Sequence, residues 1–274
     1  MQLSLPRFFD RNSNTDTRPY RLGICLSGGG ARGFAHIGAL KAITEVGLQP
    51  DIIAGVSAGA MAATLFSAGV PLDEVVPLFA EKKFTDFASL AIRDGGGLFK
   101  LDGLRKFLVK NTGVNRLEKL RIPTYIGVTD IDNGVHAEFH EGSLGDMVAA
   151  SCSIPVVFQP VKIGGTYYVD GGVLRNLPAW AIRDKCRKLI GINCSPLTNS
   201  HTKHTIMSVA MRSYNLMAKS NQINDMNICD LVIQTPEIAD YQVFNLKDIQ
   251  KVFLSGYAAA HKAIRQWLAE NPDL

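Results

Sequence analysis

No stretch of this chain is apolar for long enough to span a bilayer, and Leu3-Ser4-Leu5-Pro6-Arg7-Phe8-Phe9-Asp10 is broken by charge and proline rather than laid out as a signal peptide. Cysteine is sparse. The five, Cys25, Cys152, Cys186, Cys194 and Cys229, are odd in number and form no C-x-x-C pair, which argues against a disulfide framework and suits reduced thiols in a cytoplasmic protein. Neither sign of charge dominates: 29 Lys and Arg stand against 25 Asp and Glu, a net +4. The basic residues are dispersed, so there is no nucleic-acid signature and only a mild bias toward an anionic membrane surface. No linker divides the chain. Its 274 residues, 46% of them hydrophobic, suffice for one large α/β domain with a full core. We expect residues 19–274 to form it, behind a mobile arm over residues 1–18.

Glycine is what the chain has in quantity, and it is clustered. The apolar run Leu22-Gly23-Ile24-Cys25-Leu26 enters Ser27-Gly28-Gly29-Gly30-Ala31-Arg32-Gly33. Then Phe34, Ile37, Leu40, Ile43 and Val46 follow at helical spacing, so the order is strand, glycine loop, helix. Such a loop offers free backbone N–H groups and the positive end of a helix dipole to an oxyanion, whether a phosphate or a tetrahedral acyl intermediate. Gly28, Gly30 and Gly33 also satisfy a dinucleotide G-x-G-x-x-G fingerprint, but the second strand ends in Gly55-Val56-Ser57, not in a ribose-binding acid. Asp51 lies at the wrong end of that strand, and no Gly-Lys-Ser/Thr follows the glycines, so the phosphate-loop pattern fails too.

Gly55-Val56-Ser57-Ala58-Gly59 stands between the apolar Ile52-Ile53-Ala54 and the helix-forming Ala60-Met61-Ala62-Ala63-Thr64-Leu65. That is the setting of a nucleophile elbow, in which a sharp strand-to-helix turn strains the central residue and pushes its hydroxyl out at the sheet edge. Ser57 is the candidate nucleophile. A serine hydroxyl needs a base, and the best-placed carboxylate is Asp170, at the end of the β-type run Thr166-Tyr167-Tyr168-Val169, with Gly171 and Gly172 letting the chain turn behind it. By itself Asp170-Gly171-Gly172 also reads as an ordinary turn. Two metal-like patterns fail. Asp130, Asp132 and Glu141 take calcium-loop spacing, but Val135 replaces the required glycine and Asn133-Gly134 is a hairpin turn. His136, Glu138 and His140 alternate along one strand face, too spread to share zinc. No metal or cofactor is expected.

In this order the three motifs resemble those of the patatin-like phospholipases: a glycine-rich loop ending in Arg32-Gly33, a G-x-S-x-G elbow, and a distal D-G-G. Ala150-Ser151-Cys152-Ser153-Ile154-Pro155-Val156-Val157-Phe158-Gln159-Pro160 is similar to the segment that precedes the aspartate strand in that family, so the resemblance spans about Leu22 to Ile192. It implies a three-layer α/β/α sandwich with a mostly parallel central sheet. It also implies a Ser57-Asp170 dyad without histidine, and metal-free hydrolysis of acyl esters of phospholipids or related lipids.

On this reading Asp170 takes the Ser57 proton as the hydroxyl attacks the ester, returns it to the leaving alcohol, and water later cleaves the acyl-enzyme. Oxyanion donors are expected from Gly28, Gly29, Gly30 and Ala58, and partial desolvation must raise the basicity of Asp170. Two alternatives stay open. A Ser-Asp-His esterase could recruit His201, His204 or His261, in the chain order of α/β-hydrolases. A catalytically silent member could use the glycine loop to bind an anionic lipid. Arg32 faces a lipid phosphate, ties the loop down, or is simply solvated at the surface, and His36 reads as a buried structural imidazole. Head group, chain length and oligomeric state have no signal in the sequence; transient peripheral membrane contact is compatible with it.

Pattern and propensity predict strands over Arg21 to Ser27, Ile52 to Gly55, Thr124 to Ile131, Val135 to His140, Gln159 to Ile163, Thr166 to Val169, Leu189 to Cys194 and Leu231 to Gln234. Helices are predicted at Leu72 to Lys83, at Gly103 to Lys110 capped by Asp102, and near Ile206 to Asn224 and Asp248 to Glu270. Between elbow and aspartate, Phe84, Phe87, Leu90 and Ile92 with Arg93-Asp94-Gly95-Gly96-Gly97-Leu98-Phe99 read as a flexible flap with apolar weight, or as core beneath a loop.

Overall fold

The computed structural model describes residues 16–91, 95–196, 204–241 and 243–271. Most of the expected arm, residues 92–94 of the expected flap, and His201 lie outside the described residues. In chain order the strands are β1 (Tyr20–Leu26), β2 (Ile52–Val56), β3 (Ser89–Leu90), β4 (Gly97–Lys100), β5 (Thr124–Asp130), β6 (Val135–Phe139), β7 (Val156–Phe158), β8 (Val161–Ile163), β9 (Thr166–Asp170), β10 (Cys186–Asn193) and β11 (Leu231–Gln234). The helices are α1 (Phe34–Glu45), α2 (Ala58–Ala68), α3 (Leu72–Ala80), α4 (Phe84–Phe87), α5 (Asp102–Thr112), α6 (Leu144–Ser151), α7 (Ile206–Ser220), α8 (Ile223–Asn227) and α9 (Ile249–Glu270).

The main sheet runs β11-β10-β1-β2-β5-β9-β8, with β6 on the other edge of β5. Strands β11, β10, β1, β2 and β5 are parallel; β6, β9 and β8 join antiparallel. All five residues of β2 are buried, as a central parallel strand covered on both faces requires. One face packs on α1, α2 and α9, where Leu40, Ile43, Leu65, Val252 and Ile264 meet Ile24 and Ile53. The other is covered by the turn Pro178–Ala181 and by α8, over Cys25, Ile52, Ala54 and Leu189. The chain lays down β1, β2 and β5 in one direction and β10 and β11 in the other, so the order reverses at β1. In open α/β sheets the crevice at the carboxyl ends of strands beside such a reversal receives ligands.

Element type agrees with the pattern reading at all eight predicted strands, with shifts at their ends. Asp102 does not cap α5: Leu101 stands at the cap, and the Asp102 carboxylate accepts from Arg105 at 2.8 Å instead. The predicted helix over Ile206 to Asn224 is two, because Asn221 ends α7 and spends its side chain on a tertiary contact described below. The described part of the expected flap holds two strands. β3 and β4 form a hairpin that β7 joins in a separate three-stranded sheet. Its strands are too short to carry a period-2 pattern.

Candidate active site

The three glycine motifs meet at the carboxyl ends of β1, β2 and β9. Ser57 follows β2 with φ 54° and ψ −121°, a conformation that costs a non-glycine residue on the order of 1–3 kcal/mol. The flanking glycines are explained by close backbone approach. A Cβ on Gly55 would stand 2.3 Å from the carbonyl oxygen of Gly59, and one on Gly59 would stand 2.3 Å from that of Leu26. Neither neighbour is a side chain that can swing away. Gly59→Ala is therefore expected to destabilise the protein by about 1–3 kcal/mol or more, read as a lower midpoint in urea unfolding.

Register brings the candidate base beside the candidate nucleophile. Val56 of β2 pairs with Gly127 of β5, and the next residue of β5, Val128, pairs with Asp170 of β9. Val56, the residue before Ser57, and Asp170 therefore stand opposite consecutive positions of one strand. Two serines of the segment Ala150–Pro160 fix the backbones. The Ser57 N–H donates to Ser151 Oγ at 2.8 Å, and that hydroxyl donates to the Gly127 carbonyl at 2.7 Å. The Asp170 N–H donates to the Ser153 carbonyl at 2.9 Å. This gives the segment a physical role that pattern reading did not supply.

The Asp170 side chain is fully buried. Its Oδ1 accepts the Gly172 N–H at 2.8 Å, while Oδ2 has no partner at full hydrogen-bond geometry among the described residues. The hydroxyls of Ser57 and Tyr214 nevertheless lie near enough to stabilise the charged carboxylate. Such looseness before substrate arrives is ordinary for a site that tightens around the reacting group. Burial dominates and pushes the Asp170 carboxyl up to about 6, against the opposing pull of the Gly172 N–H, Ser57 and Tyr214. Among the described residues, no imidazole is one of the groups acting on it.

Tyr214 was not singled out by the sequence, since a tyrosine on the buried side of an amphipathic helix carries no distinguishing signal. It reaches the site from α7, is 8% exposed, and its phenol oxygen would lie 2.5 Å from a Cβ placed on Gly172. The end of α7 also holds the turn after Asp170: Asn221 Nδ2 donates to the carbonyls of Gly172 and Val173 at 3.0 and 3.1 Å. Cys152 is a second unforeseen neighbour. Burial, then the Asp170 charge, push its thiol well above the usual range, so it stays protonated beside Ser57 and is a poor nucleophile.

The glycine loop differs in one respect from expectation. The N–H of Gly28 donates to the Asn176 carbonyl at 3.1 Å and is spent on the fold, so it is not a free oxyanion donor. The N–H groups of Gly29, Gly30 and Ala58 have no acceptor among the described residues. Gly30 needs its glycine, with φ 59° and Val243 O only 2.4 Å from where a Cβ would be. Gly33 lets the loop pass against Ala58, and Gly171 lets the turn after Asp170 pass against the Gly127 carbonyl. Arg32 ties the loop down: Nε donates to the Tyr241 carbonyl at 2.8 Å, and a terminal N–H donates to that of Ala239 at 2.7 Å. His36 is buried with Nε2 2.7 Å from the Ser27 carbonyl oxygen, and burial pushes its imidazole down to about 4. It is therefore neutral and structural. His204 is exposed, and His261 stacks on Tyr257 within α9.

Ser57, Ala58 and Gly30 form one wall of a cavity of about 470 Å³, whose other walls are mostly aromatic and aliphatic, among them Phe84, Phe87, Leu104, Phe158 and Phe244. Asp51 accepts from the backbone N–H groups of Arg21 and Leu22 at the far end of the sheet, and Asp130 closes the Asn133-Gly134 turn through both carboxylate oxygens. Neither contributes to the cavity.

The model of the family described as Patatin-like phospholipase matches residues 24–182, from β1 through the turn beyond Asp170. The chain belongs to the patatin-like phospholipases. An uncharacterized NTE family protein of Mycobacterium tuberculosis is 26% identical over 92% of this patatin-like chain and 47% of its own length. Neuropathy target esterase sws of Drosophila melanogaster is 35% identical over 58% of this chain and 12% of its own. The chain thus spans about half the length of the first curated relatives it matches, and much less of the esterase. Among solved structures, VipD from Legionella pneumophila has a TM-score of 0.56 at 15% identity, covering 90% of this chain and 67% of that one, a likeness of fold. The central mostly parallel sheet with its helical layers is the patatin-like fold.

Proposed function

We propose that this protein hydrolyses acyl esters of phospholipids or related lipids, with Ser57 as nucleophile and Asp170 as the single general base and acid. The observation that carries the reading is a strained serine close to a buried carboxylate, at the wall of a mostly apolar cavity. Asp170 accepts the Ser57 proton as Oγ attacks the ester carbonyl, then donates it to the leaving alcohol. Asp170 then takes a proton from a water as that water attacks the acyl carbonyl, and returns the proton to Ser57 Oγ as the ester bond to the enzyme breaks and the fatty acid leaves. The free N–H groups of Gly29, Gly30 and Ala58 suit the developing oxyanion, and each such donor is typically worth ~3 kcal/mol. Cleavage of a panel of lipid esters, with mass-spectrometric localisation of a fluorophosphonate adduct, tests the reading. An adduct on Ser57 supports it, and a labelled residue elsewhere or no turnover of any ester refutes it.

The base must be charged to accept a proton, so log kcat should rise with pH and level off above an apparent pKa of about 6. Tyr214 helps the charged form of Asp170, so its loss must raise that pKa. Tyr214→Phe is expected to lower kcat by about tenfold and to move the acid limb to higher pH. A pH-rate profile of the two proteins distinguishes this from a packing defect, which would leave the limb in place.

The substrate reading fits a protein that meets lipid at a membrane surface transiently. Among the described residues no helix is long and apolar enough to cross a membrane. We assign the reaction to residues 19–274 as one catalytic unit of a cytoplasmic enzyme.

A further inference from the structure

Among the described residues, the charged side chains lining the cavity are all of one sign. Lys82 and Lys83 stand at the corner between α3 and α4, and Lys247 comes from the segment before α9; no described acidic side chain lines the space. The two segments meet at the cavity mouth through Phe84 and Phe244, whose ring centroids are 6.3 Å apart and which are 36% and 48% exposed. All three lysines are exposed, and none has a carboxylate within ion-pair distance among the described residues. Of the acids nearest in sequence, Asp86 accepts the backbone N–H of Lys83 at 2.7 Å and Asp248 pairs with Lys251 at 2.9 Å, while Glu81 lines a neighbouring groove that Lys82 also borders, without lining the cavity itself.

We propose that this mouth is a head-group subsite, formed by Lys82, Lys83 and Lys247, that selects amphiphiles with a net anionic, phosphate-bearing head group. The inference rests on reading the cavity as a lipid acyl site, and adds the charge class of the head group. An acyl chain entering the apolar space places its ester at Ser57 and leaves the head group among the exposed lysines. Three unpaired ammonium groups attract a phosphate monoester or diester, and the attraction is stronger beside low-dielectric walls than in open solvent. A choline head group gains much less, because its quaternary ammonium sits among like charges. The exposed phenyls of Phe84 and Phe244 bridge the two regimes, covering the first methylenes beneath the polar group.

The test is calorimetric titration of the full chain with dodecyl phosphate and with dodecylphosphocholine, each below its micelle concentration, since neither carries a cleavable acyl ester. Dodecyl phosphate should bind at least about tenfold more tightly at low salt, and its advantage should shrink in 0.5 M sodium chloride by screening. In the Lys82→Gln, Lys83→Gln, Lys247→Gln triple variant the two affinities should come within about twofold, with circular dichroism verifying the fold. Single Lys83→Gln and Lys247→Gln variants should each show part of the effect, should the triple variant fold poorly. Equal affinity of the two amphiphiles, no measurable binding of either, or a preference that survives in the folded triple variant overturns the proposal. The hydrolase reading fails separately: head-group preference without fluorophosphonate labelling of Ser57 keeps the subsite and removes the enzyme, and labelling without preference does the reverse.

Discussion

Replacing Ser57 with alanine is expected to lower kcat for lipid esters by at least about 10⁴-fold and to abolish fluorophosphonate labelling. The magnitude follows from the role: without the hydroxyl no acyl-enzyme forms, and only the oxyanion donors and the cavity remain to favour direct attack by water. Cys152 cannot stand in, because burial and the Asp170 charge keep its thiol protonated. The fold should survive. Ser57 is held through its backbone N–H by Ser151, and alanine keeps that bond. Alanine does not relieve the strain at φ 54°, whereas glycine does, so Ser57→Gly should be as inactive as Ser57→Ala yet more stable by about 1 kcal/mol. Thermal unfolding of the two variants beside lipid hydrolysis checks both parts. Residual activity within tenfold of wild type in either would remove Ser57 from the reaction.

Asp170→Asn is expected to lower kcat by about 10³–10⁴-fold and to stabilise the protein at neutral pH. The amide keeps an oxygen to accept the Gly172 N–H but cannot take a proton from Ser57. The stability effect comes from linkage. The Asp170 carboxyl is raised from its unfolded value of 3.8 to about 6 in the folded state. Between those values the folded protein binds the extra proton, so stability falls as pH rises through that window. Above about pH 6 the full cost of a buried, incompletely paired charge is present, on the order of 2–3 kcal/mol. Asparagine removes the charge. Its Tm advantage over wild type should therefore be largest above pH 7 and should shrink toward pH 4. A pH-independent difference would mean that the carboxylate does not carry this cost, and near-native turnover would mean that it is not the base.

The parts of the site that follow from local backbone demands were legible residue by residue. Gly55, Gly59 and Gly33 are needed because the chain passes within contact of other backbone or of Ala58, and strand-turn-helix context exposes that need in a linear reading. Contributions from a partner element were not legible. Gly28 is the same residue type as the adjoining Gly29, but its N–H is taken by Asn176, which only packing of the turn after Asp170 can bring there. Tyr214 and Asn221 come from α7, far along the chain, and look like any amphipathic helix residue and any helix-ending asparagine. Short strands β3, β4 and β7 escaped because pairing, not periodicity, makes them strands.

By itself the sequence determined what is local: a sharp, glycine-permitted turn at Ser57, a loop with unsatisfied N–H groups before α1, and an acid at a strand end. Spacing along the chain suffices for these, because backbone sterics act over a few residues. Only the tertiary structure decided that β5 sets Val56, next to Ser57, and Asp170 at consecutive register positions, that burial lifts the carboxyl to about 6, and that among the described residues the lysines at the cavity mouth have no acid lining the cavity with them. Desolvation and charge balance depend on everything packed around a group, and that sum over distant segments is not written in the order of residues.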